Sequence, residues 1–161
     1  MSDELPRVVL DTVVFVQCLI SGRGPSAACL ENLRSARFVL LMSDATLAEL
    51  YDVPRRPSFT AKYPYVTAEK ISSFVSEIDT LAVRIANPPA AFVLPRDAED
   101  EPFIDLAVAG DARYLVTWNE RHLTYLMKQD TPEGREFCQR FPHIKIVSPV
   151  QFLAELRSSR P

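Results

Sequence analysis

Glycine is scarce in this chain, with four residues in 161. Neither G-x-x-x-x-G-K-S/T nor G-x-G-x-x-G occurs, which excludes the common phosphate-cradling loops. The G-x-S-x-G elbow of α/β-hydrolases is missing too. Cysteine is equally sparse. Cys18, Cys29 and Cys138 are odd in number, widely spaced and without a C-x-x-C. That argues for buried free thiols over a disulfide framework or a zinc site. Two histidines, His122 and His143, are too few and too far apart for a histidine-rich metal centre. No apolar run approaches the roughly 20 residues that span a bilayer. The acidic start Met1-Ser-Asp-Glu-Leu-Pro lacks a signal-peptide pattern, so a cytoplasmic location with no membrane partner is expected. A formal net charge of -3 does not predict a strong non-specific nucleic-acid binder, although the positive charge is mostly Arg, which suits phosphate contacts.

What the chain does contain is short apolar runs set between helical patterns. Its length suits one domain with a real core, and no repeat or low-complexity linker divides residues 1–161. Val8-Val9-Leu10 runs into Asp11, and a second apolar run follows through Val16 with no Gly or Pro between. Such a run suits a strand buried on both faces of a parallel sheet. Asp11 then sits at the strand's carboxyl end, where open α/β sheets bind ligands. Ser21–Ser26 reads as a turn, with Ser26 capping a helix that runs to about Ser35. Phe38–Met42 repeats the strand pattern. Ser43-Asp44 caps a helix from Ala45 to about Val53, ended by Pro54 and Pro57. The stripe Ile71, Phe74, Val75 and Ile78 predicts a helix over Thr67–Leu81, and Ala82–Ile85 predicts a third strand. Pro102 fits the first turn of the next helix. Tyr114–Thr117 is a fourth strand, Arg121–Lys128 is helical, and Gln129–Pro142 is a polar loop with one helical turn near Phe137. Ile144–Val147 and a helix opened by Ser148-Pro149 complete the chain. This alternation predicts a parallel sheet with helices on both faces.

Acids recur at the strand ends. Asp11 ends the first strand and Glu49 follows the second. Arg96-Asp97-Ala98-Glu99-Asp100-Glu101 heads the Pro102 helix, and Thr117-Trp118-Asn119 ends the fourth strand. Carboxylates gathered at one sheet edge repel one another unless a counter-charge is present. A hard cation such as Mg²⁺ or Mn²⁺ resolves this, and it can activate water and steady a phosphoryl oxyanion. The same acids also have plainer uses. Asp11 can cap the element after the first strand. Thr46-Leu-Ala-Glu49 fits a capping box, and Asp100 and Glu101 complement a helix N-terminus. An aspartyl-phosphate phosphatase would want an acid at position 13, where Val13 stands. A receiver domain would want an acidic pair before the end of the first strand and a Lys after a late one, and it has neither.

These blocks resemble a known family. Leu10-Asp11-Thr12-Val13-Val14-Phe15-Val16 is similar to the L-D-T-N-V-F-V opening of PIN-domain ribonucleases. Ser43 with Leu47, Glu49, Leu50, Val53 and Arg56-Pro57 resembles the second block. Arg96 to Ala107 resembles R-D-P-x-D-D-x-F-L-x-L-A, and Ala112 to Asn119 resembles A-D-Y-I-V-T-G-D. Ile144–Leu153 is similar to the I-x-I-V-x-P-x-x-F-L tail. The nearest group looks like the toxin components of bacterial toxin–antitoxin pairs. The resemblance implies a three-layer α/β/α sandwich with a central parallel sheet. It also implies Mg²⁺- or Mn²⁺-dependent hydrolysis of single-stranded RNA, a cognate antitoxin partner and a homodimer. By position, Asp11 is the first metal ligand and Glu49 the second. Glu101 is the third, with its neighbour Asp100 able to substitute, and Asn119 takes the fourth place.

Three departures qualify that expectation. Val13 replaces an Asn that normally orients the first Asp. Glu101 is longer than Asp by roughly 1.5 Å, about one carbon–carbon bond. Asn119 keeps an oxygen ligand but loses a charge, which weakens metal affinity. Trp118, where a small residue is usual, either narrows the cleft, offers a base a stacking face, or is a partly buried packing residue. Arg55, Arg56 and Arg121 are candidates for steering an RNA backbone. The main reading is therefore an active ribonuclease. Its alternatives are a degenerate fold that binds RNA or an antitoxin without cutting, and an enzyme for another phosphoester.

Overall fold

The opening apolar run forms β1 (Arg7–Leu10) at the centre of the sheet. Parallel strands flank it, with β2 (Val39–Met42) and β3 (Val83–Arg84) on one side and β4 (Tyr114–Val116) and β5 (Lys145–Val147) on the other. The order is β3-β2-β1-β4-β5 and every pairing is parallel. The computed structural model describes residues 4–159. Met1–Asp3, part of the acidic N-terminal stretch, and Arg160–Pro161 lie outside the described residues.

Side-chain alternation along the strands sends successive residues to opposite faces. Val8, Leu10, Leu40, Met42, Tyr114 and Val116 point to one layer. They meet helices α1 (Thr12–Ile20), α2 (Pro25–Arg34), α3 (Asp44–Asp52) and, beyond a short α4 (Pro57–Lys62), α5 (Ala68–Leu81). Val9, Leu41, Leu115 and Ile146 point the other way, against α6 (Glu101–Ala109) and α7 (Pro132–Arg140). The last helix, α8 (Pro149–Ser158), returns to the first layer through Phe152 and Leu156. The molecule is thus the expected α/β/α sandwich. Among the described residues no single helix is long and apolar enough to cross a membrane.

Local expectations fail in places where turn chemistry decides. Ser26 does not cap α2. Gly24, at φ 97°, takes the cap position with Pro25 first in the helix, a backbone conformation that suits glycine. Pro57 does not end a helix but begins α4, because a missing N–H costs nothing in a first turn. The polar segment Gln129–Pro142 is mostly α7. Thr131 accepts the Gly134 N–H, Pro132 follows it, and Phe137 is fully buried on an otherwise polar helix. Only Thr124–Lys128 of the predicted Arg121–Lys128 helix is helical, as a 3-10 turn. The capping box of α3 is made by Ser43 and Thr46, which leaves the Glu49 side chain free.

Candidate active site

β1 and β4 are neighbours, so their carboxyl ends lie side by side, and the Asp11 N–H extends the ladder to Val116 O at 2.9 Å. The chain turns directly from Asp11 into α1. Asp11 stands at the cap position without a capping hydrogen bond. Instead its buried carboxylate accepts from the Thr117 hydroxyl at 2.7 Å. Burial pushes the Asp11 carboxyl above its ordinary range, against the pull of Thr117 and of the Thr12 and Val13 N–H groups. Thr117 is itself buried, and its oxygen also accepts the Asn119 N–H at 2.9 Å.

Glu49 reaches the same place from α3, and the Thr12 hydroxyl donates to its Oε2 at 2.5 Å. Partial burial raises the Glu49 carboxyl. Thr12 lowers it, the charge of Asp11 raises it further, and Arg56 lowers it. Asp100 closes a 3-10 turn, Ala98–Asp100, just before α6. It is pushed up to about 7, first by burial and then by the charges of Asp11 and Asp97, with His122 opposing.

Asn119 is more constrained than its type suggests. Its Nδ2 donates to Asp100 Oδ2 at 2.9 Å, and its Oδ1 accepts the His122 N–H at 3.2 Å. Reversing the amide would set oxygen against a carboxylate and nitrogen against an N–H. The oxygen expected of Asn119 as a ligand thus already accepts one hydrogen bond, which leaves it one lone pair.

Asp11, Glu49, Asp100 and Asn119 border one cavity of about 420 Å³, together with Thr12 and Arg56. Val13, Val53 and Trp118 give it an apolar wall. Glu101 does not border it. As the first residue of α6, Glu101 accepts the Leu94 N–H at 3.1 Å and so ties down the preceding loop. Asp100 stands in the cleft where spacing had put Glu101. Trp118 is partly buried against the first-layer core, with its indole N–H on Ser26 Oγ at 3.0 Å. Ser26 in turn donates to Gln17 at 2.5 Å. Arg56 pairs with Asp52 at 3.0 Å. Arg55 lies 3.5 Å over the Tyr51 ring and bonds to Ser72, and Arg121 is exposed. A larger hollow of about 760 Å³ lies away from these acids, between α1, α2 and α5, and Arg34 and Glu77 pair across it.

The donor set fits a hard divalent cation. Three carboxylates from three segments converge; burial raises each, and neighbouring carboxylates raise Glu49 and Asp100 further, a cost that a bound cation would offset. Several residues of the site carry no sequence signal of their own. The hydroxyls of Thr12 and Thr117 were legible only as neighbours of an acid and an amide. His122, 3.0 Å from Asp97 beside Asp100, is one of the two histidines too few and too far apart for a histidine-rich centre.

The PIN-domain family model matches residues 7–121. No curated protein matches the chain. Among solved structures the chain is similar to VapBC2 from Rickettsia felis bound to a DNA fragment from their promoter. The TM-score is 0.51 and the identity 17%, over 88% of this chain and 98% of that one.

Proposed function

Because the chain belongs to the PIN-domain family, we propose that it is a Mg²⁺- or Mn²⁺-dependent endoribonuclease cutting single-stranded RNA. We assign it as the toxin of a toxin–antitoxin pair. The observation that carries the nuclease reading is the meeting of Asp11, Glu49 and Asp100 in one cleft at the carboxyl edge of a parallel sheet. These three carboxylates would hold the cation. When bound, a divalent cation supplies Lewis acidity to the charge that develops on phosphoryl oxygens. The chain's own residues set the geometry. Thr117 aims Asp11 and Thr12 aims Glu49, so two of the carboxylates are oriented in advance. Arg56 brings positive charge to the cleft, where a phosphate would approach.

The purified protein is expected to cleave single-stranded RNA with Mn²⁺, to stop on addition of EDTA, and to lose cleavage in Asp11→Asn. Cleavage that stays near the native rate in Asp11→Asn overturns the assignment. The toxin reading is supported by the likeness to VapBC2. It predicts co-purification with a cognate antitoxin encoded beside the gene, and a homodimer in solution.

One observation favours a second reading, a module that binds RNA or an antitoxin without cutting. Asn119 offers the cleft no fourth charge, and its amide is already shared between Asp100 and the His122 N–H. Calorimetry with Mn²⁺ separates the two. Saturable binding supports the enzyme, and no binding at millimolar metal supports the module.

A further inference from the structure

We propose that His122 is a metal ligand and that, with Asp97, it extends the cleft into a cation position sharing Asp100. The proposal rests on the reading of the cleft as a cation site. One ligand atom each from Asp97, Asp100 and His122 lies within 4.8 Å of the other two. Donors at about 2.1 Å on opposite sides of a cation stand about 4.2 Å apart, so small side-chain rotations bring all three onto one ion.

This position is built by contacts independent of any ion. The Arg96 guanidinium lies 3.8 Å over the Tyr125 ring and donates to Arg121 O at 3.0 Å. That clamps the loop carrying Asp97 to the loop carrying His122. Asp97 is fixed further as the cap of its 3-10 turn, accepting the Glu99 N–H at 2.9 Å. The amide of Asn119 completes the arrangement. Its nitrogen holds Asp100, and its oxygen holds the His122 backbone. Asn119 thus spends its side chain on placing the two residues of which one is the imidazole. The anionic ligand missing at position 119 is replaced three residues later by a neutral nitrogen donor. Imidazole is a softer donor than carboxylate and suits later transition metals better than Mg²⁺, so His122 tilts this position away from Mg²⁺.

The test is pulsed electron paramagnetic resonance on the full chain loaded with Mn²⁺. Directly bound imidazole gives a ¹⁴N modulation. It is expected in the native protein, in His143→Gln and in Asp11→Asn, and it disappears in His122→Gln and His122→Asn. In the His122 variants Mn²⁺ affinity falls about 10- to 100-fold, at least as much as when a ligand's support is lost. Circular dichroism and the melting temperature without metal check that these variants are folded. Mn²⁺ binding without nitrogen modulation overturns the proposal and leaves the carboxylate site standing. Modulation that persists in His122→Gln also overturns it. No Mn²⁺ binding overturns this proposal and the cation reading together. Modulation in a protein that cuts no RNA supports the proposal and sinks the ribonuclease.

Discussion

The two walls of the cleft are built differently. On one wall Asp11 and Glu49 are held by hydroxyls, Thr117 on the first and Thr12 on the second. Those hydroxyls sit beside a central strand and in the first turn of α1, so regular backbone fixes them. On the other wall Asp100 and Asn119 hold each other, backed by His122 and Asp97. They sit on two loops joined by Arg96 and Tyr125. The first wall is therefore prepared by the fold itself, and the second is prepared only if its polar chain stays intact. Networks of this kind respond to single changes more than pairwise counting suggests.

The largest break comes on the first wall. Asp11→Asn should reduce RNA cleavage by roughly 10³-fold, several kcal/mol of transition-state stabilisation, with little change in melting temperature. Acidification acts on the second wall. A cation binds the ionised carboxylate, so protonated Asp100 must release its proton first. Mn²⁺ affinity measured by calorimetry should rise about tenfold per pH unit from pH 5 to 7. It should level above about 7, where Asp100 is ionised, and Asp100→Asn should flatten the slope. Stability without metal runs in the opposite sense. Because folding raises this carboxyl, the folded state holds the proton more tightly between about pH 4 and 7. The metal-free protein should therefore lose stability as pH rises from about 4 to 7 and level above it, read as a falling melting temperature.

Thr117→Val strips both walls at one atom, leaving Asp11 Oδ2 and the Asn119 N–H without their shared partner. Urea unfolding should show a loss of about 1–3 kcal/mol. Thr12→Val should cost less, since half-buried Glu49 can turn to water. The smallest effect belongs to Val13→Asn. Val13 is 47% exposed, and Thr117 already orients Asp11, so stability should move by no more than about 0.5 kcal/mol and cleavage by less than a few fold.

The same contrast explains how much was legible in the sequence. Strand runs and the α5 stripe carry their period in residue types, so the sheet and most helices could be read directly. Asp11 and Glu49 could be read because one ends a strand and the other sits at a fixed distance from a capped helix start. Asp100 against Glu101 could not be resolved by spacing. The choice depends on where a 3-10 turn stops and α6 begins, and neighbouring residues there point in different directions. The partners of Asn119 were not legible, because a residue's type is visible in the sequence and its hydrogen bonds are not. α7 was hidden by a polar face surrounding one buried Phe137, and α4 by a proline whose effect reverses between the end of a helix and its start.

Trp118 is the chain's one tryptophan, and its indole both borders the cleft and anchors to Ser26, which reaches Gln17 of α1. Its emission therefore has a single origin and reports one place. A paramagnetic ion entering beside it would quench that light, and an RNA base stacking on the ring would shift it. The cleft carries its own optical gauge, which reads occupancy in the native chain with no label attached.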